Sequence, residues 1–501
     1  MLGTSLLALA LVAPAAPPEK PKDVDYEKQL NDKLGEGIRP EENAKALLFL
    51  AFGPKPEGST MPEEYYRRLG IQEPPEQGEY LVGVGKFVRE NLNLEQKDID
   101  VVFNQQGWAS NRPWSAKDYP FIAAWLKINE KPLAVVHEAV KRPKYYNPLV
   151  SKRSPQDPNG SLIGVLLPSV QKCREFASLL SARAMLRTQE GKYDEAWSDL
   201  IACHLLARHV AHGGTLIELL VGVAIDAIAS NADLAFLEAA KLDAKQLQTK
   251  LKELQSLPAF PRVADKIDVT ERLMFLDCLR LIRTGGIKNL EGLVGDGADL
   301  KLDDAETKGL AKLDFAPAEK AGTQWYDRMV AALKKPTRAE RNAELDAMEA
   351  ELKKLKQEYV ASADKLRETL KKGGDPGPVV AKAIGDVLVT LLAPALRKVQ
   401  DASDRQIQTQ GNLQTAFALA AYHTEHGRYP AKLDDLAPKY IPVVPGDTFN
   451  GEKLKYTVSK TGYLIWSVGA NGKDEGGRWF DDEPRGDDPR VRMPLPPLKK
   501  E

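Results

Sequence analysis

Apolar residues return at helical spacing over most of this chain, and at alternating spacing only near its end. From residue 41 to 330 the pattern predicts an α-helical domain. Asn43–Phe52 and Phe121–Lys127 are short periodic segments, whereas Trp108–Trp114, with Pro113 inside it, reads as an irregular connection. Cys173–Leu237 is the strongest helical block. Leu247, Leu251 and Leu254, then Leu273, Leu276 and Leu279, continue the spacing. Gly285–Asp304 is glycine-rich and acidic, the composition of a flexible loop. Residues 337–372 form a charged helical arm. In it Leu345, Met348, Leu352, Leu355 and Tyr359 keep one stripe among dense Lys and Glu, as in an exposed helix or coiled-coil arm. Gly373-Gly374-Asp375-Pro376 stops the arm, and a second long helix is expected from Val379 to His426, broken or kinked at Pro394.

The period changes after that helix. Leu413, Ala416, Phe417 and Ala420 share one apolar face, Gly427 suits a left-handed C-cap, and Pro430 cannot continue the helix. Leu454–Val458 and Tyr463–Val468 alternate as strands do, joined by the hairpin-sized Ser459–Gly462. The residues beyond Pro484 are polar and proline-rich, so 486–501 reads as a flexible tail.

Composition narrows the class. A chain of 501 residues suggests two to four domains. Seventy basic against 71 acidic residues leave a net charge of −1, so no whole-chain field draws nucleic acid or an acidic membrane. The basic and aromatic run Lys141–Tyr146 reads as a solvated loop. At the N-terminus a short apolar segment, Leu6–Val12, precedes Ala13-Pro14-Ala15, an A-x-A pattern. Residues 1–15 thus read as an export signal and 16–40 as a linker, although no Lys or Arg precedes the apolar run. Export implies a periplasmic or extracellular protein, with no stable membrane span in the mature chain. Cys173, Cys203 and Cys278 match no metal or redox spacing. They read as small buried residues on helices, with one disulfide as the other reading.

The order Tyr422-x4-Gly427-Arg428-Tyr429-Pro430, Leu433-Asp434-Asp435-Leu436, Tyr463 through Gly472, then Gly476-Gly477, resembles the globular domain of the major pseudopilins of type II secretion systems, over about residues 400–485. The resemblance implies an α+β domain over 376–485, a long helix packed on an antiparallel sheet. It also implies a calcium site in the closing loop. Where those pseudopilins carry Ser-x-Gly-x-Asp-Gly, this chain has Ser467-Val468-Gly469-Ala470-Asn471-Gly472, with one charge fewer. Asp481 or Asp482 would match the downstream acid, so the candidate metal residues are Asn471, Asp474, Asp481 and Asp482. Read without the resemblance, the loop holds Asp474, Glu475, Asp481, Asp482, Glu483, Asp487 and Asp488 among glycines that allow tight turns. That composition suits calcium, which takes six to eight oxygens, or a solvated acidic loop. Residues 175–236, with Gly191-Lys192-Tyr193-Asp194-Glu195-Ala196-Trp197, resemble a tetratricopeptide-type helical hairpin in one copy, short of the roughly three a solenoid needs.

Other patterns carry less chemistry. Gly213-Gly214-Thr215-Leu216-Ile217-Glu218 and the apolar run after it resemble a prepilin cleavage signature, but sit mid-chain and are interrupted by Asp226, Asn231 and Asp233, so a buried helix is expected. His209 and His212, with His204 near, could hold a metal or be structural; no carboxylate partner is evident from spacing. His137-Glu138 lacks the second histidine of a zinc-protease helix, Val82–Phe87 lacks the full phosphate-loop pattern, and no Gly-x-Ser-x-Gly is present.

The expected fold is mainly α: a helical-hairpin N-terminal region, a long charged helix and the small α+β C-terminal domain. The expected function is a non-catalytic, exported cell-envelope module for assembly or interaction, its partner another envelope protein or a peptide. The competing expectation is an exported hydrolase with its site in the helical N-terminal region, built from Trp108–Trp114 with His137 or His209. A cytoplasmic scaffold follows instead if the leader is retained.

Overall fold

The computed structural model describes residues 24–498, apart from 57, 93–94, 154–159, 166, 168, 286–302, 373–375 and 393–395. The signal segment, the first part of the linker, most of the glycine-rich acidic loop, the arm-stopping Gly373-Gly374-Asp375 and Pro394 lie outside the described residues.

Helices dominate. In chain order they are α1 (Tyr26–Gly35), α2 (Ala44–Phe52), α3 (Glu63–Leu69), α4 (Val84–Asn91), α5 (Gln96–Asn111), α6 (Pro120–Ile128), α7 (Glu130–Ala139), α8 (Cys173–Gln189), α9 (Tyr193–Ala211), α10 (Leu216–Ala239) and α11 (Ala244–Gln255). A short α12 (Val263–Lys266) passes through a π turn (Ile267–Glu271) into α13 (Arg272–Gly285). Then come α14 (Asp304–Leu310), α15 (Ala316–Leu333), α16 (Arg338–Lys371), α17 (Pro378–Leu392) and α18 (Leu396–His426). Reciprocal capping boxes start several of them, Thr215 with Glu218 on α10 and Thr337 with Glu340 on α16 among them, and satisfy otherwise orphaned N–H groups.

Two sequence expectations are corrected here. The 16–40 linker is not linker throughout: α1 occupies Tyr26–Gly35, with Leu30 wholly buried and Asn31 donating to the Leu149 carbonyl. Trp108–Trp114 is not irregular throughout: α5 runs to Asn111, and the buried Trp114 indole donates to the Ala182 carbonyl at 2.9 Å.

The core begins with α8, α9 and α10 packed side by side. Gly191, at φ +74°, turns α8 into α9. Gly222 of α10 lies so close to α9 that a methyl group there would stand 2.6 Å from the Ala207 carbonyl oxygen. Trp197 of α9 meets both Phe236 of α10 and Phe417 of α18 at 5.5 Å between ring centroids. The same core continues into Ile465 and Val491 of the sheet, so α18 buries one face on the helices and another on the strands. A second core joins α12, α13, α15 and α17, and takes in Leu345, Met348 and Leu370 of α16. The apolar stripe of the charged arm is therefore used within the chain. The three cysteines are free and buried.

The sheet has three antiparallel strands in the order β1 (Lys455–Val458), β2 (Tyr463–Trp466), β3 (Arg490–Met493). Tyr456 faces Ile465, and Ile465 faces Val491. The third strand corrects the flexible tail expected over 486–501. Val491 and Met493 alternate into the core, while the Pro489 carbonyl accepts from Ser467 N and Asn412 Nδ2.

The prepilin-like stretch is α10. By length and composition it could cross a membrane, but 61% of its apolar window is buried inside the protein. Glu218, the glutamate of the look-alike signature, is the buried third residue of that helix, closing the capping box with the N-cap Thr215, and it accepts from the Asn147 amide at 2.7 Å.

Candidate functional site

The loop between β2 and β3 is built on left-handed glycines. Gly469, Gly472, Gly476 and Gly477 all have positive φ, which a side chain resists. Buried Asp447 anchors the entry, accepting from the Ser467 hydroxyl at 2.7 Å and from Val468 N at 2.9 Å.

These turns bring Glu475, Asp487 and Asp488 together, with one oxygen of each within 4.8 Å of the others. Asp488 is wholly buried. Its Oδ2 accepts from Gly477 N at 2.9 Å and Glu475 N at 3.0 Å, and its Oδ1 has no hydrogen-bond partner. Asp487 likewise leaves Oδ1 unpartnered while Oδ2 accepts from Asn471 N at 3.1 Å. Burial first, then the charges of Glu475 and Asp474, push the Asp488 carboxyl up to about 6. Burial also raises Asp487, while the Asp487 N–H and the Asn471 amide hold Glu475 below its usual range. Crowded carboxylates with orphaned oxygens suit either a shared proton or a hard cation, and an all-oxygen set on glycine turns fits calcium chemistry.

The four residues expected from sequence divide. Asn471 joins the cluster, its amide nitrogen donating to Glu475 at 2.8 Å. Asp474 stays beside it, accepting from the Trp466 indole at 2.9 Å and Gly476 N at 3.0 Å. Asp481 and Asp482 go elsewhere, paired with Arg490 of β3. The acids that converge are Glu475, Asp487 and Asp488. They stood in the same acidic run, but aligning the motif favoured its middle.

A second polar cluster is fully buried. His204 of α9 meets Asp226 Oδ1 through Nδ1 at 2.6 Å and Asp233 Oδ2 through Nε2 at 2.7 Å, both acids on α10. Arg208, Gln406 and Gln410 also donate to Asp226. Burial alone would lower the imidazole, but the two carboxylates outweigh it and raise it to about 9. Burial works against ionising both acids. Asp226, with His204, Arg208 and glutamine amides around it, is nevertheless held low, whereas Asp233 is raised. With both ring nitrogens donating, His204 has no lone pair for a substrate, so the cluster acts as an ionic knot and not as a general base.

Among the described residues, no histidine falls in a group of three or more metal-ligating side chains. His209 bonds the Val140 carbonyl and His212 the Arg208 carbonyl. His137 meets buried Asp199 at 2.7 Å, and Arg183 lies 3.0 Å from the same ring nitrogen. No protein-family model, curated protein or solved structure matches the chain.

Proposed function

We propose that the chain is a non-catalytic, exported cell-envelope protein, an assembly or interaction module whose C-terminal α+β unit is of the pseudopilin kind and is closed by a calcium-holding loop. One observation carries the metal-supported reading: wholly buried Asp488, one of whose oxygens has no hydrogen-bond partner, lies with Glu475 and Asp487 so that one oxygen of each is within 4.8 Å of the others. A cation there would neutralise the cluster and lock the glycine turns, fixing the surface that the loop offers a partner. Glu475, Asp487 and Asp488 would hold it, with Asn471 as a neutral fourth group after rotation of its amide.

The test is co-purification of the full chain from its native envelope, with and without calcium chelation. Partners that appear with calcium and are lost on chelation support the proposal. Partners that persist under chelation separate interaction from the metal, and capture of no partner under either condition rejects the interaction module.

A further inference from the structure

A cleft of about 720 Å³ opens between α18 and the segment joining α11 to α12, with the α15–α16 turn at one end. Its walls come from separated parts of the chain, so no local pattern marks it. Two properties of its lining point to a ligand class.

The first is amide density. Six glutamines line the cleft, among them Gln400, Gln406, Gln410 and Gln414 of α18. The amide N–H groups of Gln400, Gln406 and Gln410 are held by Asp404, Asp226 and Ser230, which fixes these side chains and leaves their carbonyl oxygens, with the amide of Gln414, to pair with the N–H and C=O groups of an extended backbone whatever its sequence. Gln410 is almost fully buried and its Oε1 has no partner; the Nε of Arg341, another lining residue, has none either. Ile407, 52% exposed, and Phe260 place apolar contacts among the amides.

The second is charge. Five cationic side chains line the cleft against one acid, Asp404. Arg208, Arg262 and Arg341 are already paired, with Asp226, Asp265 and Asp404. Lys334 and Lys335, on the α15–α16 turn, are exposed and make no salt bridge among the described residues. Such an excess selects a partner of opposite sign and speeds its approach.

We propose that this cleft binds an extended, acidic peptide segment of a partner protein, its backbone along the glutamines of α18 and its carboxylates at Lys334 and Lys335. The proposal rests on the reading of the chain as an interaction module and names the chemistry of what that module takes.

Fluorescence anisotropy on the full chain tests it, with a short labelled peptide rich in glutamate and leucine and its lysine counterpart. The glutamate peptide is expected to bind and the lysine peptide not. Lys334→Glu with Lys335→Glu, both exposed, should weaken binding by about tenfold or more without moving the melting temperature. Gln414→Leu should weaken it less. Equal binding of both peptides, no binding, or binding indifferent to the charge reversal overturns the proposal. So does stronger competition by oligogalacturonate than by unlabelled peptide, which would make the cleft a glycan site. Envelope partners that co-purify equally with wild type and the charge-reversed protein would sink the cleft proposal and leave the interaction reading standing. Peptide binding with no envelope partner for either protein would sink the interaction reading alone.

Discussion

The Nδ1 of His204 lies 2.6 Å from the Oδ1 of Asp226, and both side chains are sealed from water. This contact ties α9 to α10, and the glutamines on Asp226 extend the tie to α18. His204→Leu would strand the Asp233 carboxylate in the core, while Asp226 keeps Arg208 and the two glutamine amides, and breaking a buried pair in this way costs about 3–5 kcal/mol. Adding Asp233→Asn should recover part of that loss in a urea-denaturation series, whereas adding Asp226→Asn should deepen it by leaving buried Arg208 without its carboxylate. The alkaline limit has a definite sign. His204 is raised from 6.5 to about 9, so its contribution is complete below pH 6.5 and is lost as pH rises through about 9. Buried Cys203, beside the same acids, is also raised and stays a thiol over that range. Melting temperature against pH should fall there, and His204→Leu should flatten that fall.

Asp488 titrates with the same sign at lower pH. Its carboxyl stands at about 6 against an ordinary 3.8, so the stability it lends the metal-free protein is complete below pH 3.8 and is lost as pH rises through about 6. Millimolar calcium should raise the melting temperature clearly at pH 7 and little at pH 5, where protons compete for the same oxygens. Asp488→Asn should remove both the pH step and the calcium shift. A calcium shift that survives the substitution would place the ion elsewhere.

The helices were legible because their signals are local: apolar residues at helical spacing, Thr215 three residues before Glu218, Gly427 after His426. The knot was hidden because Asp226 and Asp233 look like interruptions of an apolar run. They stand seven residues apart, two turns, and so face α9 together; that spacing opposite a histidine-bearing helix was the available clue. β3 was hidden for another reason. Arg490-Val491-Arg492-Met493 is four residues of alternation between Pro489 and Pro494, too short to show a period, and its place is set by the distant β2. The carboxylate cluster was half legible, since an acidic run shows that carboxylates are near but not which of them the glycine turns fold inward.

Helix packing can be tested at Gly222. On propensity alone Gly222→Ala should stabilise α10 by about 1 kcal/mol. The added methyl would instead stand 2.6 Å from the Ala207 carbonyl oxygen and 2.7 Å from the Ala211 Cβ, forcing α9 and α10 apart. Overpacking of this kind costs about 1–3 kcal/mol, so a net loss of stability is expected in chemical denaturation. Unchanged or increased stability would show that the two helices can separate freely.

Deleting residues 487–501 tests the part of the chain whose composition is least like a folded element. The deletion removes Asp487 and Asp488 from the loop, and Val491 and Met493 from the core. Burial of each of those apolar side chains is worth about 1.5–3 kcal/mol. It also strips β2 of a neighbour, leaving a two-stranded ribbon that is marginal alone and an open edge beside α18. Limited proteolysis should then cut within the 427–486 segment, and the calcium response should vanish. A shorter deletion that starts after Pro497 spares β3 and the Leu495 N–H bond to Glu238, so it should change neither readout. If the longer deletion matches wild type in both, the last strand adds nothing to the unit and the carboxylates it delivers are not a binding site.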